Sequence, residues 1–448
     1  MNQRIQLSDH FTTSRILRFA ASPIIMMVFT SIYSVVDGFF VSNFAGKQAF
    51  AAVNLIMPFL QAFGCIGFML GTGGSAIVGI TLGEGDQKKA DRYFTLFLLA
   101  ALVSVSVLAV LGIVFLRPIA VLLGAKGELL DYAVRYGRIL MVSLPTFALQ
   151  NMFQSFFVTA EKPHLGFWFT VGAGCTNMVL DVLMVGIWGW GVEGAAIATF
   201  ISQLVGGVLP VFYFINRSNS SRLHLCKTSF YSKVLRDACI NGSSELMTNL
   251  SMSLVNILYN YQLLRLAGEN GVAAYGVIMY AAFLFVAVFV GYAVGSAPIV
   301  SFHYGARNHA EVHNLYHKSL RLIAVVAVTL TLASMFIIPC VARIFVGYDA
   351  ELLALTSRAF RLYALSFLIM GFNVYASSFF TALGDGVTSA LISFLRTLAF
   401  QVIAILLLPL LLGIDGIWLA VTAAELAALA VSVAMLLTKD KVFHYRKA

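Results

Sequence analysis

Twelve stretches of about twenty or more mostly apolar residues recur along the chain, and they constrain its fold more than any other feature. A run of about 20 apolar residues is long enough to cross a bilayer as a helix. Only 11% of the residues are charged, whereas a soluble domain carries about 25%. Transmembrane strands would instead give segments of about ten residues with alternating polarity. The sequence therefore predicts an all-α polytopic membrane protein and excludes a soluble globule or a disordered chain.

The positive charges between these stretches predict how the spans are oriented. The predicted spans are roughly 18–42, 50–80, 93–116, 133–160, 165–188, 192–216, 235–263, 272–302, 318–342, 355–382, 387–411 and 415–437. An even number of spans places both termini on one side. That side holds nineteen of the 29 Lys and Arg residues, the other side holds nine, and Arg396 falls inside a span. The positive-inside rule then predicts cytoplasmic termini, and the net charge of +9 needs no nucleic-acid partner.

The two halves of the chain match each other at a constant offset in residue number. The matched pairs include Asn151 with Asn373, Ser155 with Ser377, Gly73 with Gly295, Gly83 with Gly305, Ala45-Gly46 with Ala267-Gly268, and Gly194 with Gly416. Each half contains six spans, so the repeats are parallel and are related by an axis along the membrane normal. This pattern predicts an N-terminal lobe (1–216), a basic cytoplasmic linker (217–233) and a C-terminal lobe (234–448), with a transporter's cavity between the lobes.

Two acidic residues inside spans of the first half have no acidic counterpart in the second. Asp37 matches Tyr259, and Asp181 matches Ile403. An acid in the middle of a span costs about 2.5–3.5 kcal/mol on insertion scales, so each one needs a reason to be there. Polar groups that are present in only one half of a repeat serve a site more often than they serve the shared fold. Asp37 and Asp181 are therefore candidates for a functional site in the first lobe.

An amide and a hydroxyl are predicted to join these two acids. Asn177 lies one helical turn before Asp181, and Thr199 lies at the same depth on the next span. Such a group can hold a proton, or it can coordinate a small cation through its oxygen atoms. The alternative is that the acids only tie helices together through hydrogen bonds. The residues alone leave both interpretations open.

Three further charged residues and one proline also lie inside predicted spans. Glu245 and Arg396 lie at similar depth, which predicts an intramembrane ion pair, with either a structural role or a role in substrate contact. Glu425 is harder to interpret, because its repeat partner Gln203 is also polar. Pro23 interrupts the hydrogen-bond ladder of the first span and predicts either a static kink or a hinge.

Other motifs favour no enzyme and no resident cofactor. Gly83-Glu84-Gly85-Asp86 spells a short motif of intramembrane aspartyl proteases, but it lies in a predicted loop. His309, His313 and His317 share a helical face in a basic loop, where a solvated face is expected and a metal site is not. The sequence contains no Walker A element. We therefore expect no enzyme, no metal and no cofactor, and an ion gradient as the energy source.

Several motifs in their order along the chain resemble the multidrug and toxic compound extrusion (MATE) family. They are Asp37 to Gly46, the glycine-rich second span ending at Asp86, Asn177 to Asp181, Gly194 to Thr199, and Pro298 to Asn308. The first-lobe acids are similar to those of the DinF-like branch. That resemblance implies that Asp37, Asn177, Asp181 and Thr199 couple transport to H⁺, sometimes Na⁺. It also implies a role for Asn151, whose matching Asn373 favours a structural one, and a span 1 kink at Pro23.

These observations together predict a secondary active antiporter of the bacterial inner membrane. We expect a monomer that exports bulky amphipathic, often cationic compounds in exchange for H⁺ or Na⁺, and that contacts membrane lipids. Aromatic faces attract organic cations, and the predicted cavity residues are Tyr33, Asn54, Gln61, Phe153 and Gln154. A lipid flippase of the same superfamily and a sensor that transports nothing are the alternatives. Only one cation is clearly intramembrane, which disfavours the flippase, and a sensor has no need of the acids.

Overall fold

The computed structural model describes residues 5–41, 44, 47–347 and 349–446. These residues are helical almost throughout and include no strand. The helices of the first half are α1 (Thr13–Phe40), α2 (Lys47–Gly83), α3 (Gln87–Leu122), α4 (Glu128–Thr159), α5 (Pro163–Ile187) and α6 (Gly191–Ile215). We call these six helices the first lobe. The predicted turn near Ala45-Gly46 lies outside the described residues.

The second half repeats this arrangement and forms the second lobe. Its helices are α7 (232–267), α8 (269–305), α9 (His309–Val346), α10 (Ala350–Ala364 and Phe367–Ala382, bent by 45°), α11 (Gly386–Leu412) and α12 (Ile414–Thr438). A short α13 (Asp440–Phe443) follows. α7 and α8 are continuous except at Gly268, whose φ of 62° and ψ of −152° break the helix. A left-handed φ of this kind is one that glycine adopts without steric cost.

The predicted all-α architecture of twelve spans in two lobes is confirmed. Of the described helices, nine pass a test of length and apolarity for crossing a membrane, and the bent α10 makes ten. That number treats α7 and α8 as one element. It also omits α4, whose polar residues include Gln150, Asn151 and Gln154. α4 nevertheless has 32 residues, about 48 Å of helix at 1.5 Å per residue, which is more than a bilayer needs.

Matching helix caps appear in the two lobes. The Asp86 side chain accepts a hydrogen bond from the backbone N–H of Lys89 and so caps α3. Asn308, at the matching position of the repeat, accepts from the N–H of Glu311 and caps α9 in the same way. Short polar side chains at this position satisfy an otherwise unpaired N–H of the first turn. The aspartate of the protease-like motif therefore has a structural role at a helix start.

Two glycines pack closely against the backbone of the opposite lobe, and their two contacts are related by a two-fold arrangement of the lobes. A methyl group at Gly83 on α2 would lie 2.0 Å from the carbonyl oxygen of Phe302 on α8. A methyl group at Gly305 on α8 would lie 2.0 Å from the carbonyl oxygen of Ile80 on α2. The repeat exchanges these two contacts, because Gly83 matches Gly305 and Ile80 matches Phe302. α2 and α8 therefore cross tightly at the repeat axis, near the face that carries both chain ends, which we call the terminal face.

The lobes separate toward the opposite face, which we call the far face. Met69 on α2 packs closely against the second lobe, since its carbonyl oxygen would lie 1.8 Å from a methyl group at Gly242. Ala51 and Pro58 lie 18 and 11 residues earlier, about five and three turns, so they share that helix face. Both are exposed. The same face of α2 thus contacts the second lobe near the terminal face and lines an open cleft near the far face.

Candidate functional site

The candidate site lies in the first lobe, where α5 changes its helical geometry. Residues 163–180 are α-helical, and Asp181–Ile187 form a π-helix. A π-helical turn has one extra residue per hydrogen-bonded ring and often marks a functional position. Asp181 is the first residue of this segment, and its side chain is completely buried. The local helix thus directs a carboxyl group into the interior of the lobe.

The structure brings together the four residues predicted to couple transport to an ion. The Asp37 carboxyl on α1 lies close to the carboxyl of Asp181 and the amide of Asn177, both on α5. The Asn177 amide in turn donates to the Thr199 hydroxyl on α6 at 3.5 Å. Three helices therefore contribute one connected cluster of two carboxyl groups, an amide and a hydroxyl, which we call the acid cluster.

The acid cluster has no cationic partner among the described residues. Neither Asp37 nor Asp181 takes part in an ion pair there. Oδ1 of Asp37 and both carboxyl oxygens of Asp181 are buried without a hydrogen-bond donor. Two adjacent carboxylates repel each other, and their contact becomes a hydrogen bond only when one of them carries a proton. The cluster is thus chemically suited to take up a proton or a small cation.

Two residues that sequence reasoning did not place at this site also lie beside it. Gln150 on α4 lies close to the Tyr33 hydroxyl, and Tyr33 lies near Asp37. Tyr136, also on α4, is buried near Asp37 and Asp181. The repeat held a signal for Gln150, because its counterpart in the second half is the apolar Phe372. The comparison of the two halves that selected Asp37 and Asp181 would therefore also have selected the Gln150 amide.

Asn151 is not connected to the acid cluster by any contact in the described structure. Its side chain is buried, and its Nδ2 has no hydrogen-bond partner there. The matching Asn373 is fully engaged, since its Nδ2 donates to Glu425 at 2.7 Å and its Oδ1 accepts from Ser432 at 2.8 Å. The matched pair therefore differs in bonding, and the implied coupling role of Asn151 stays a prediction.

The residues predicted to line the cavity fall into two groups. Asn54 and Gln61 are exposed on α2, on the side where the lobes separate, while Tyr33 is half-buried beside the acid cluster. Phe153 and Gln154, by contrast, are buried. In this structure both side chains lie in the packed interior and not at the cleft surface, and their role in the cavity stays a prediction. The Phe153 ring stacks on Phe214 with 5.6 Å between centroids.

The predicted ion pair between Glu245 and Arg396 is replaced by another pair. Nε of Arg396 donates to Oε1 of Glu425 at 2.8 Å, whereas Glu245 forms no salt bridge in the described structure. Glu425 is completely buried, and Arg396 is 12% exposed. Equal depth on two helices does not fix which faces meet, and α12 presents its acid to α11. Glu245 still lies near enough to interact electrostatically with Arg396.

Pro23 lies within α1 at a contact between the lobes. α1 continues as a helix from Thr13 to Phe40 across the proline. A methyl group at Gly291 on α8 would lie 2.9 Å from the Pro23 carbonyl oxygen. Since proline removes one backbone hydrogen bond, α1 is weakened where it meets the second lobe. The hinge role of Pro23 stays a prediction.

Comparison with known proteins assigns this arrangement to a family. The MatE family model matches residues 23–183 and 246–407, one segment in each lobe. The chain belongs to the MatE family. A relative named multidrug export protein MepA, from Staphylococcus saprophyticus, is 20% identical over 432 residues that cover 95% of this chain and 94% of the relative.

Solved structures titled as MATE proteins share the fold of this MatE chain. A crystal structure of MATE in complex with MaL6 superposes with a TM-score of 0.93 at 22% identity and covers 99% of this chain and 100% of that one. An outward-facing multidrug resistance MATE family transporter superposes with a TM-score of 0.90 at 23% identity and covers 99% of both chains. The complete two-lobe architecture of this chain is therefore that of the MatE family.

Proposed function

We propose that this chain is a secondary active transporter that exports bulky amphipathic, often cationic compounds in exchange for H⁺ or Na⁺. The observation that carries the proposal is the acid cluster, in which Asp37 and Asp181 meet in the first lobe without a cation to neutralise them. When both carboxyl groups are ionised, such a pair destabilises a static helix bundle, because buried charges without partners are costly. A proton or small cation that binds and leaves supplies the missing partner.

The open cleft supplies a path for substrate on one side of the membrane. In our proposal the terminal face is cytoplasmic, as the distribution of Lys and Arg predicts, so the cleft opens to the outside. Asn54 and Gln61 present amides there, while Tyr280 and Phe283 on α8 present exposed aromatic side chains. Aromatic faces bind organic cations, and amides orient polar groups. The names of the multidrug export relatives agree with this chemistry.

The proposed cycle couples ion arrival to rearrangement of α1. An ion that enters from the outside neutralises one of the two carboxylates, Asp37 or Asp181, and so changes how α1 packs on α5 and α6. α1 also carries Pro23 against the second lobe, so a bend there alters the first-lobe cavity and the contact between lobes. The ion shifts the population because it binds one state better than the other. We further propose a monomer in the bacterial inner membrane, DinF-like in its coupling site.

The lipid flippase receives no support from the charges of the cleft. Arg396, the intramembrane cation that would hold a phosphate, is already bonded to Glu425. An exporter of cations needs no free cation in its cavity, whereas a phosphate carrier does.

Transport by the purified protein tests the proposal. Proteoliposomes containing ethidium, a planar aromatic cation, would be exposed to a pH gradient alone or a sodium gradient alone. We expect one of the two gradients to accelerate ethidium movement in the opposite direction. If ethidium moves at the same rate under the pH gradient, under the sodium gradient and without any gradient, ion-coupled antiport is rejected.

A further inference from the structure

A second polar site lies on the terminal face of the first lobe, away from the acid cluster. A cavity of about 570 Å³ opens there beside the start of α5. Its lining includes Arg18 and Phe19 of α1, Lys162 of the α4–α5 turn, His164 and Trp168 of α5, and Tyr213 of α6. The cavity therefore joins three helices of the lobe that carries the acid cluster.

The charges of this cavity are not balanced. Arg18 forms no hydrogen bond or ion pair with any residue that the structure describes. Lys162 donates to the Ser220 hydroxyl at 2.6 Å and meets no carboxylate there. The cavity's one carboxylate, Glu161, is already engaged by the guanidinium of Arg222 and the N–H of Leu7. Two cations therefore face the cavity without an anion to match them.

One side of the cavity opens onto an apolar surface. Trp168 lines the cavity and is 65% exposed. Cys175, Val179 and Val182 continue the exposed face of α5 toward the far face at helical spacing. An exposed apolar face on a membrane helix faces acyl chains, and tryptophan is enriched at the level of the headgroups. Arg18 and Trp168 each lie five residues, about 8 Å, inside the start of their helices, so cation and indole share that level.

We propose that this cavity binds the phosphodiester headgroup of an anionic phospholipid from the leaflet at the terminal face. The Arg18 guanidinium and the Lys162 ammonium bind phosphate oxygens, and the acyl chains extend along Trp168 and the apolar face of α5. Basic pockets between membrane helices on the cytoplasmic side hold headgroups in this manner. The lipid would tie α1, which carries Asp37, to the start of α5, which carries Asp181.

Binding of defined lipids to the purified full-length protein tests the proposal. Native mass spectrometry would compare retention of dioleoyl phosphatidylglycerol with that of dioleoyl phosphatidylcholine, which has the same acyl chains and no net charge. We expect preferential retention of phosphatidylglycerol by the wild type. The Arg18→Gln/Lys162→Gln variant should lose roughly an order of magnitude in apparent affinity, because each cation near an anionic lipid contributes a few-fold.

A matched variant removes two positive charges elsewhere on the same face. Lys88→Gln/Lys89→Gln alters exposed residues at the start of α3 and should retain the wild-type preference. An equal loss in this control would mean that the surface charge as a whole attracts the lipid, which rejects the site. Equal retention of the two lipids by the wild type would also reject it. Displacement of phosphatidylglycerol by millimolar inorganic phosphate would show a site for free anions and contradict the lipid assignment.

Discussion

At the scale of single residues, the two lobes treat their buried acids in opposite ways. In the first lobe, Asp37 and Asp181 contact each other and meet no cation among the described residues. In the second lobe, Glu425 is bonded to both Arg396 and Asn373. An acid that is paired with a cation stabilises a single arrangement of the helices. Acids without a countercharge respond to ion binding. We therefore propose that the second-lobe pair serves stability and that the first-lobe cluster serves coupling.

The pair between Arg396 and Glu425 gives a prediction about folding. Arg396→Ala should lower the free energy of unfolding by about 3–5 kcal/mol, because it leaves Glu425 buried and unpaired. Arg396→Met/Glu425→Leu should recover much of this loss, since it removes both charges. Thermal unfolding in detergent, followed by intrinsic fluorescence, measures the stability of the single and the double variant. The control is Arg358→Ala, which breaks the exposed Arg358–Asp415 pair and should cost at most about 1 kcal/mol. Equal losses in Arg396→Ala and Arg358→Ala would contradict the assignment.

At the scale of elements, the segment of residues 5–12 connects the two lobes across the terminal face. The Leu7 N–H donates to Glu161 at the end of α4, at 2.9 Å. The Phe11 N–H donates to Glu311 of α9 at 2.8 Å, and the Phe11 carbonyl accepts from Lys318 at 2.8 Å. Both Leu7 and Phe11 are completely buried. Separation of the lobes at this face therefore requires the segment to release one end.

Weakening this segment should favour opening at the terminal face. Phe11→Ala removes a buried ring that packs edge-on against His303 of α8, at 6.2 Å between centroids, and so loosens the end attached to the second lobe. Nitroxide labels at positions 88 and 441, one on each lobe, would report the separation by pulsed electron paramagnetic resonance. We expect a larger population at long distance in Phe11→Ala. Ser8→Ala changes an exposed side chain in the same segment and should match the wild type. Identical distributions in both variants would mean that the segment does not restrain the lobes.

The sequence was most informative about elements and least informative about which helix faces meet. Apolar length predicted the spans, because it is a local property of the chain. The constant offset of the repeat predicted the lobes, because a match between the two halves is visible in a single sequence. The asymmetry between the halves identified Asp37 and Asp181, since an acid without a counterpart is visible in one sequence. Partner choice depends on helix rotation and on the tertiary fold, so Glu425 was missed as the partner of Arg396. The position of the Phe153 ring in the core of this structure was missed for the same reason.

At the scale of the whole molecule, the lobes touch near the terminal face and part toward the far face. The close contacts of Gly83 and Gly305 lie on one side of the membrane. The exposed residues of the cleft, related by the repeat, are Ala51, Asn54, Pro58 and Gln61 on α2 and Ala273, Tyr280 and Phe283 on α8. A transporter in this state gives solvent access from one side only. The structure therefore corresponds to one end state of an alternating-access cycle.

The one-sided access predicts a labelling pattern. In a background without the five native cysteines, Asn54→Cys and Phe283→Cys should react with a membrane-impermeant maleimide that is added outside intact cells. Ile299→Cys should be protected, because Ile299 is completely buried where the lobes meet. Reaction of Asn54→Cys only in inside-out vesicles would place the cleft on the cytoplasmic side and overturn the proposed orientation.

Gradient-driven efflux in an Asp37 variant tests the central claim most directly. Asp37→Asn keeps the size of the side chain and mimics the protonated carboxyl, so the protein should still fold and insert. Ethidium efflux from proteoliposomes that carry the coupling gradient should fall to the rate measured with liposomes that contain ethidium but no protein. Ile403→Val, at the repeat position that matches Asp181, should transport at the wild-type rate. Wild-type efflux by Asp37→Asn, with unchanged dependence on the gradient, would contradict the assignment of ion coupling to the first lobe.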